Sequence, residues 1–150
     1  MNYWLMKSEP FVYSIADLKR DGQTIWDGVR NYQARNFLRQ MQPGDLCFFY
    51  HSNTKPPGIV GLMTIIKTDV VDPTQFDRNS KYYDPKSKPE SPRWQTVTVE
   101  FVAEYSQLLS LEELKQKFSP AEILLVKKGN RLSVMPVDPI AAEKILTLVD

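Results

Sequence analysis

The chain has 150 residues and a mass of 17.4 kDa, which is typical of one globular domain, and we predict a single domain over residues 1–150. Cys47 is the only cysteine, which excludes an internal disulfide framework and a thiolate zinc cluster. The net charge of +1 argues against a strongly charged coat for nucleic acid and against a membrane-surface protein.

Signals for export, membrane insertion and common enzyme classes are absent from the sequence. No apolar run approaches the roughly 20 residues that cross a bilayer, and the N-terminal residues lack the pattern of an export signal. We therefore predict a cytoplasmic protein that does not enter a membrane. There is no Gly-rich phosphate loop, nucleophile elbow or zinc-protease motif, and the single histidine excludes mechanisms with two imidazoles. We expect neither a cofactor nor a metal.

The first third of the chain predicts two strands and two helices. They are a strand over residues 2–8, a helix over 15–20, a strand with a turn over 23–30, and a helix over 32–41. Ser14 and Asp17 have the spacing of a capping box, which opens the first helix. Asn31 is the predicted N-cap of the second helix.

The remainder of the chain predicts four more strands around a long loop. The strands cover residues 45–52, 59–67, 94–105 and 131–137, the first two as antiparallel neighbours. Residues 71–93 form the loop, whose aromatic side chains favour a functional role. Alternation after Trp94 predicts a half-buried strand with Thr96 and Thr98 on its polar face.

Three further helix starts are predicted near the C-terminus. Capping-box or N-cap patterns occur at Ser110 with Glu113, Ser119-Pro120 with Glu122, and Asp138-Pro139. The last helix is expected to face the core through Ile140, Ile145, Leu146 and Val149. Five or six strands with several short helices predict an α+β domain with a mixed, curved or barrel-like sheet and helices on its rim.

The net charge of +1 hides an uneven distribution of charge along the sequence. Residues 19–39 and 78–94 each contain five basic and two acidic side chains, whereas residues 100–122 contain five acidic and two basic ones. Both basic stretches also carry aromatic residues, and phosphate attraction combined with ring stacking is how proteins hold an unpaired base. The alternative is that these charges form solvated surface and the rings form core.

Six runs of the sequence resemble one known family. They are YWLMKSEP (3–10), WDGVRNYQARNFLR (26–39), FFYHSN (48–53), PGIVGLM (57–63), YYDPKS (82–87) and PRW (92–94). Together they resemble the EVE domain family over residues 3 to about 137. The resemblance implies a PUA-like β-barrel with short rim helices. It also implies a non-enzymatic reader of methylated or hydroxymethylated cytosine, or of another modified base, in DNA. Because the chain begins almost at the first run, we expect a compact bacterial version.

Two tryptophans are the candidate walls of a base pocket. Trp26 lies between a predicted strand and a turn, and Trp94 begins the clearest strand after the basic loop. A base stacked on such a ring gains roughly 1–3 kcal/mol. The alternative for Trp26 is a ring that plugs the end of the barrel.

Two polar segments are the candidate contacts to the edge of the base. Their residues are Tyr50, His51, Ser52 and Asn53 in one segment and Lys7, Ser8 and Glu9 in the other. His51 is equally explained as a hydrogen-bonded structural residue. A contact between Lys7 and Glu9 is also explained as surface electrostatics, worth ~0–1 kcal/mol.

The start of the helix over residues 32–41 is the candidate site for phosphate, because free backbone N–H groups and the helix dipole favour an anion there. Its side chains are Arg30, Asn31, Tyr32 and Arg35. Arg30 and Arg35 are the preferred clamps, and Asn31 is equally explained as a helix cap alone.

We therefore predict a monomer that binds nucleic acid carrying a modified base, DNA in preference to RNA, with the base between Trp26 and Trp94. The first alternative is an RNA-binding PUA-like module. The second is an ASCH-like hydrolase or nuclease that uses Lys7, Glu9, Tyr32 or His51 as acid, base or nucleophile.

Overall fold

The computed structural model describes residues 1–150. The strands are β1 Tyr3–Ser8, β2 Gln23–Ile25, β3 Leu46–His51, β4 Gly58–Val71, β5 Gln95–Ser110 and β6 Val134–Val137. The helices are α1 Ile15–Asp21, α2 Tyr32–Gln40, α3 Leu111–Lys117 and α4 Pro139–Leu148, with 3-10 turns at Pro73–Phe76 and Leu124–Val126. None of the helices has both the length and the apolar character that a membrane span requires.

All six strands form one mixed sheet in the order β2-β5-β4-β3-β1-β6. β1 pairs in parallel with β3, and the other neighbours are antiparallel, including the predicted pair of β3 and β4. Register shifts between β4 and β5 mark irregularities of the kind that bend strands. The predicted α+β class with six strands and short helices is confirmed. Its hydrogen-bond ladder stays open, because β2 and β6 are edges that do not pair with each other.

Alternating side chains build a core on each face of the sheet. On β1, Trp4 and Met6 pack with residues of α1 and α2, while Leu5 packs with residues of α3 and α4. Because both faces are covered there, β5 buries Thr96 and Thr98 as well as Val97 and Val99, so the predicted exposure of these threonines is wrong. A ligand site therefore has to lie at strand ends and connections.

Most helix starts follow the local patterns in the sequence. Capping boxes or N-caps are present at Ser14, Asn31, Ser110 and Asp138. The predicted helix after Ser119 is wrong, because Glu122 closes a single turn and Ile123 then forms a bridge with Val137. The prediction for Ile140 is also wrong: it is 79% exposed, while its neighbours Ala141 and Ala142 face the core.

Candidate functional site

A cleft of about 760 Å³ opens where the end of β1 meets the connection between β2 and α2, and we call it the β1 cleft. Its volume lies within the range of sites that enclose small ligands. Its walls come from residues 7–9, 12–13 and 24–30, with single contributions from Ser52, Thr74, Ser80, Tyr82, Arg131 and Ser133.

Trp26 forms a fixed wall of the β1 cleft. Its ring packs edge-to-face on Phe49, with centroids 5.4 Å apart and planes at 83°, and only 7% of the residue is exposed. Its backbone N–H donates to the Val97 carbonyl, and its own carbonyl accepts from the Thr96 hydroxyl. Trp26 is therefore a core residue whose remaining exposed surface lines the cleft.

Trp94 lies outside the β1 cleft, so the two tryptophans do not face each other across one pocket. Its ring stacks on Tyr32 of α2, with centroids 4.9 Å apart and planes at 13°. Its indole N–H donates to Asp84 at 2.8 Å, which contributes most to lowering the pKa of that carboxyl. The predicted sandwich of a base between Trp26 and Trp94 is not supported by this geometry.

The long loop after β4 is organised by a buried glutamine, which explains the position of Trp94. The Gln75 amide donates to the carbonyls of Asp72 and Trp94 at 2.7 and 2.9 Å. Its carbonyl oxygen accepts from the Ser87 hydroxyl and the Trp94 N–H. These bonds fold the loop back on itself and place Trp94 against α2.

Arg30 lines the β1 cleft, but all five of its N–H groups are used inside the protein. They donate to the Tyr82 carbonyl twice, at 2.7 and 3.0 Å, and once each to the Val29 carbonyl, Thr74 hydroxyl and Asp72 carboxylate. The ion pair with Asp72 is shielded, since the Asp72 side chain is only 2% exposed. Arg30 therefore holds the loop in place and has no N–H left for the phosphate contact predicted from sequence.

The other three residues predicted to contact phosphate lie at the start of α2, outside the cleft, with Asn31 as its N-cap. Asn31 accepts the Ala34 N–H at 2.9 Å and acts as the helix cap. Arg35 lies 4.6 Å from the ring centroid of the exposed Tyr32 and donates to the Arg93 carbonyl at 2.9 Å, while its Nε is buried without a partner. Burial, together with the charge of Arg39, lowers the pKa of Arg35.

The predicted polar segment of Lys7, Ser8 and Glu9 lines the β1 cleft with all three residues. Ser8 donates its hydroxyl to the Tyr13 carbonyl at 2.6 Å, and Glu9 accepts from the Asn53 amide. Lys7 has no ion-pair partner, and its ammonium lies 6.0 Å from the Tyr50 ring centroid. Burial lowers the pKa of Lys7.

The other predicted polar segment contributes only Ser52 to the cleft. Tyr50 is buried in the core between the sheet and α4, and burial raises its pKa to about 12. His51 accepts the Ile15 N–H through Nε2 at 3.1 Å, which corresponds to the structural alternative. Asn53 is exposed and bonds Glu9. Tyr50 and His51 are separated because successive side chains along β3 point to opposite faces of the sheet.

Asp27 is a lining residue that sequence reasoning treated only as part of a turn. Its carboxylate accepts no hydrogen bond from another residue. Desolvation in the cleft raises the pKa of Asp27, and the nearby charge of Asp72 adds to this rise. In the sequence, only its position directly after Trp26 pointed to a place in the cleft. Arg131 also lines the cleft, but nothing in its local sequence indicated that role.

Gly28 sets the distance between the turn and the loop. Its backbone has φ +82°, and a Cβ there would meet the Tyr82 ring at 2.6 Å. Its N–H donates to Asp72 at 2.9 Å. Only glycine allows this approach without strain, so Tyr82 can complete the cleft wall opposite β1.

The β1 cleft brings together two of the four residues that the hydrolase alternative would use for catalysis. Lys7 and Glu9 line the β1 cleft, whereas Tyr32 and His51 do not. No group of three or more His, Cys, Asp or Glu side chains is placed to hold a metal ion.

The profile of the EVE domain matches residues 2–148. The chain belongs to the EVE domain family. Thymocyte nuclear protein 1 of Rattus norvegicus is 46% identical to this EVE domain over 165 aligned residues, which cover 98% of this chain and 73% of the relative. The family resemblance of the six sequence runs is thereby confirmed.

Solved structures share the EVE fold along nearly the whole chain. A Pseudomonas syringae protein is 51% identical, with a TM-score of 0.93 and coverage of 97% of this chain and 98% of that chain. Human THYN1 protein, crystallised with DNA that contains 5-methylcytosine, is 43% identical, with a TM-score of 0.91 and coverage of 99% and 97%. The EVE domain fold is thus common to bacterial and eukaryotic proteins.

Proposed function

We propose that this protein binds DNA carrying a modified base, and that the base leaves its stack and enters the β1 cleft. The observation that carries the proposal is the cleft itself, a space of about 760 Å³ with the rigid Trp26 as one wall. It belongs to a fold that, in human THYN1 protein, was solved with 5-methylcytosine-containing DNA. Extruding a base costs roughly a few kcal/mol, which an aromatic contact and several hydrogen bonds offset.

Asp27 and Lys7 supply opposite hydrogen-bonding groups for the edge of the base. A carboxylate accepts from the exocyclic amino group of cytosine, and an ammonium donates to a ring nitrogen or carbonyl oxygen. Both side chains line the cleft without an ion-pair partner. This combination fits a cytosine-type base, and a methyl or hydroxymethyl group would add discrimination of about 1–3 kcal/mol.

Contacts to the nucleic-acid backbone are assigned to exposed cations near the cleft. Arg131 lines it directly, and Lys81 precedes the lining residue Tyr82. Tyr32 and Arg35 on α2 remain candidates from the predicted set, whereas Arg30 is occupied by the loop. We propose a non-enzymatic role, because binding and extrusion need no bond to be broken.

We also propose that the protein acts as a monomer in the cytoplasm. One chain supplies every wall of the β1 cleft, and Cys47 is a buried free thiol, which fits a reducing compartment. Sedimentation with and without the modified oligonucleotide would give one protein per bound strand.

Fluorescence anisotropy with matched oligonucleotides tests the proposed function. Strands of one sequence carrying cytosine, 5-methylcytosine or 5-hydroxymethylcytosine are titrated as DNA, with RNA strands as a separate arm. We expect at least one modified DNA strand to bind about 10-fold more tightly than its unmodified match. Equal affinity for all of them would overturn the modified-base proposal, and preference for RNA would favour the RNA-binding alternative.

Variants separate the β1 cleft from the rest of the surface. Lys7→Gln removes a cleft cation and should weaken binding of the preferred strand. Lys67→Gln removes an exposed cation on β4 outside the cleft and should leave this preference unchanged. If both variants bind like the wild type, the base does not enter the β1 cleft.

A further inference from the structure

The rim of the β1 cleft carries an exposed apolar turn that the proposed function has not used. Phe11 is 71% exposed, and Val12 and Ile25, which both line the cleft, are also exposed. Large apolar side chains grouped at the mouth of a site are typical of surfaces that meet a partner. Neither the core nor the cleft floor requires Phe11, since it packs in neither hydrophobic cluster.

The turn that carries Phe11 is held in a defined position. The N–H groups of Val12 and Tyr13 both donate to the Glu9 carbonyl at 2.9 Å. The Ser8 hydroxyl bonds the Tyr13 carbonyl, and the Tyr13 hydroxyl donates to Asp21 at 2.8 Å. Phe11 is therefore presented on a braced turn rather than on a free segment.

The surroundings of the turn favour nucleic acid as its partner. Lys7 and Arg131 line the β1 cleft without an ion-pair partner, beside the carboxylates of Glu9 and Asp27, while Arg30 is paired with Asp72. Glu9 is directed to the Asn53 amide, and residues 10–12 carry no charge. An apolar tip beside a base-sized cleft has the form of the wedges that proteins insert between base steps.

We propose that the turn at Phe11 and Val12 is a wedge that enters a duplex where the modified base leaves its stack. The inference rests on the proposed function, because a wedge is needed only if a base is extruded into the β1 cleft. Extrusion leaves a gap between the neighbouring base pairs, and the Phe11 ring fills that gap. The wedge thus matters for duplex DNA and not for a strand whose base is already unpaired.

Phe11→Ala tests the wedge, with Ile140→Ala as the matched control. Ile140 is 79% exposed, but it lies on α4 and does not line the cleft. Each variant is titrated with the preferred modified oligonucleotide as a duplex and as a single strand. We expect Phe11→Ala to weaken duplex binding at least 10-fold while single-strand affinity changes less than twofold. Phe11→Trp, which keeps a large aromatic ring, should bind the duplex like the wild type, and so should Ile140→Ala.

The outcomes separate the wedge from the proposed function. Unchanged duplex affinity of Phe11→Ala would overturn the wedge and leave the turn to another partner, such as a protein. An equal loss on duplex and single strand would also overturn it, because Phe11 would then contact the base itself. If the wild type binds the single strand but not the duplex, the wedge is overturned and the proposed function is kept. No wild-type binding to either form overturns both.

Discussion

His51 uses its accepting nitrogen inside the protein. Its Nε2 accepts the Ile15 N–H at 3.1 Å in the first turn of α1, and its ring packs edge-on against Phe49. Burial lowers the pKa of His51, and the charge of Glu104 opposes part of that effect. Protonation at Nε2 would remove the acceptor, so the imidazole is neutral while it holds α1.

We expect His51→Leu to lower the free energy of unfolding by about 1–2 kcal/mol at neutral pH, because the Ile15 N–H loses its acceptor. The folded pKa lies below the unfolded value of about 6.5, so the stability from His51 is present above that pH and is lost as pH falls towards the folded pKa. Urea unfolding at neutral and acidic pH should show the two proteins converging in acid. Weaker DNA binding with unchanged stability would instead give His51 a role in the site.

Asp27→Asn separates recognition from stability. We expect the affinity for a modified-cytosine strand to fall about 10-fold, because hydrogen bonds to a charged acceptor contribute about 1.5–3 kcal/mol. The free energy of unfolding should rise by about 0.5 kcal/mol at most, since the amide removes the desolvation cost of the carboxylate and its repulsion from Asp72, part of which the Arg30 charge already offsets. Anisotropy and urea unfolding measure the two effects.

The control for Asp27 is Asp69→Asn, which removes an exposed carboxylate on β4 away from the cleft. It should leave the affinity unchanged. Because the pKa of Asp27 is raised, wild-type binding should weaken with falling pH earlier than an ordinary aspartate would cause, and Asp27→Asn should lack that step. Unchanged affinity of Asp27→Asn would remove the carboxylate from the recognition scheme.

The lining residues of the β1 cleft were predictable only where the adjacent sequence indicates them. Trp26 and the Lys7 to Glu9 segment, which line the β1 cleft, were singled out because their runs match the family and end in turns. Asp27 was missed as a lining residue, since a turn explains an Asp-Gly pair without any ligand. Arg131 could not be found, because it reaches the cleft from a segment more than 100 positions along the chain from Trp26.

At the level of elements, one arginine ties the loop between β4 and β5 to the start of α2. Arg30 joins the start of α2 to Asp72, Thr74 and Tyr82 through four hydrogen bonds. A lysine keeps the charge but cannot reproduce the planar fork. The loop should therefore loosen when this single side chain changes.

We expect Arg30→Lys to lower the free energy of unfolding by about 2–4 kcal/mol, because a shielded ion pair and its accompanying hydrogen bonds are disrupted. Amide hydrogen exchange across residues 72–94 should accelerate more than exchange in the sheet. Arg78→Lys, an exposed position in the same loop, should change neither measurement. Slow exchange in the loop of Arg30→Lys would show that Gln75 alone is sufficient to hold it.

Elements were predictable where their signals are local. Ser14 and Ser110 start helices through bonds to residues three positions away, and these patterns were read correctly. The same pattern failed at Ser119, because pairing of Ile123 with Val137 overrides it. The position of Trp94 was misjudged for a similar reason, since Gln75 and Tyr32 hold it through contacts that no local pattern reveals.

Across the whole molecule, the two basic stretches of the sequence come together. Arg30 bonds the carbonyl of Tyr82, and Arg35 bonds the carbonyl of Arg93, so residues 19–39 and 78–94 are joined. A net charge of +1 therefore hides a local concentration of cations where the start of α2 meets the loop between β4 and β5. Much of this charge is engaged within the protein, which limits how many phosphates it can neutralise.

We expect a shallow dependence of DNA affinity on salt. With two to four phosphate contacts, the logarithm of the association constant should fall with the logarithm of salt concentration at a slope of about −2 to −4. Anisotropy titrations over a range of potassium chloride concentrations measure this slope. A slope near −10 would instead indicate an extended track of phosphates along a duplex.

The position of β1 has a consequence for how the protein is made. β1 lies between β3 and β6, and the Lys7 N–H donates to the Ser133 carbonyl at 2.9 Å, so the earliest strand needs the latest one. Until the ribosome delivers residues 131–137, one edge of β1 has no partner and the cleft lacks Arg131. A nascent chain therefore completes the β1 cleft only after β6 has been made, with an unpaired strand edge to protect until then.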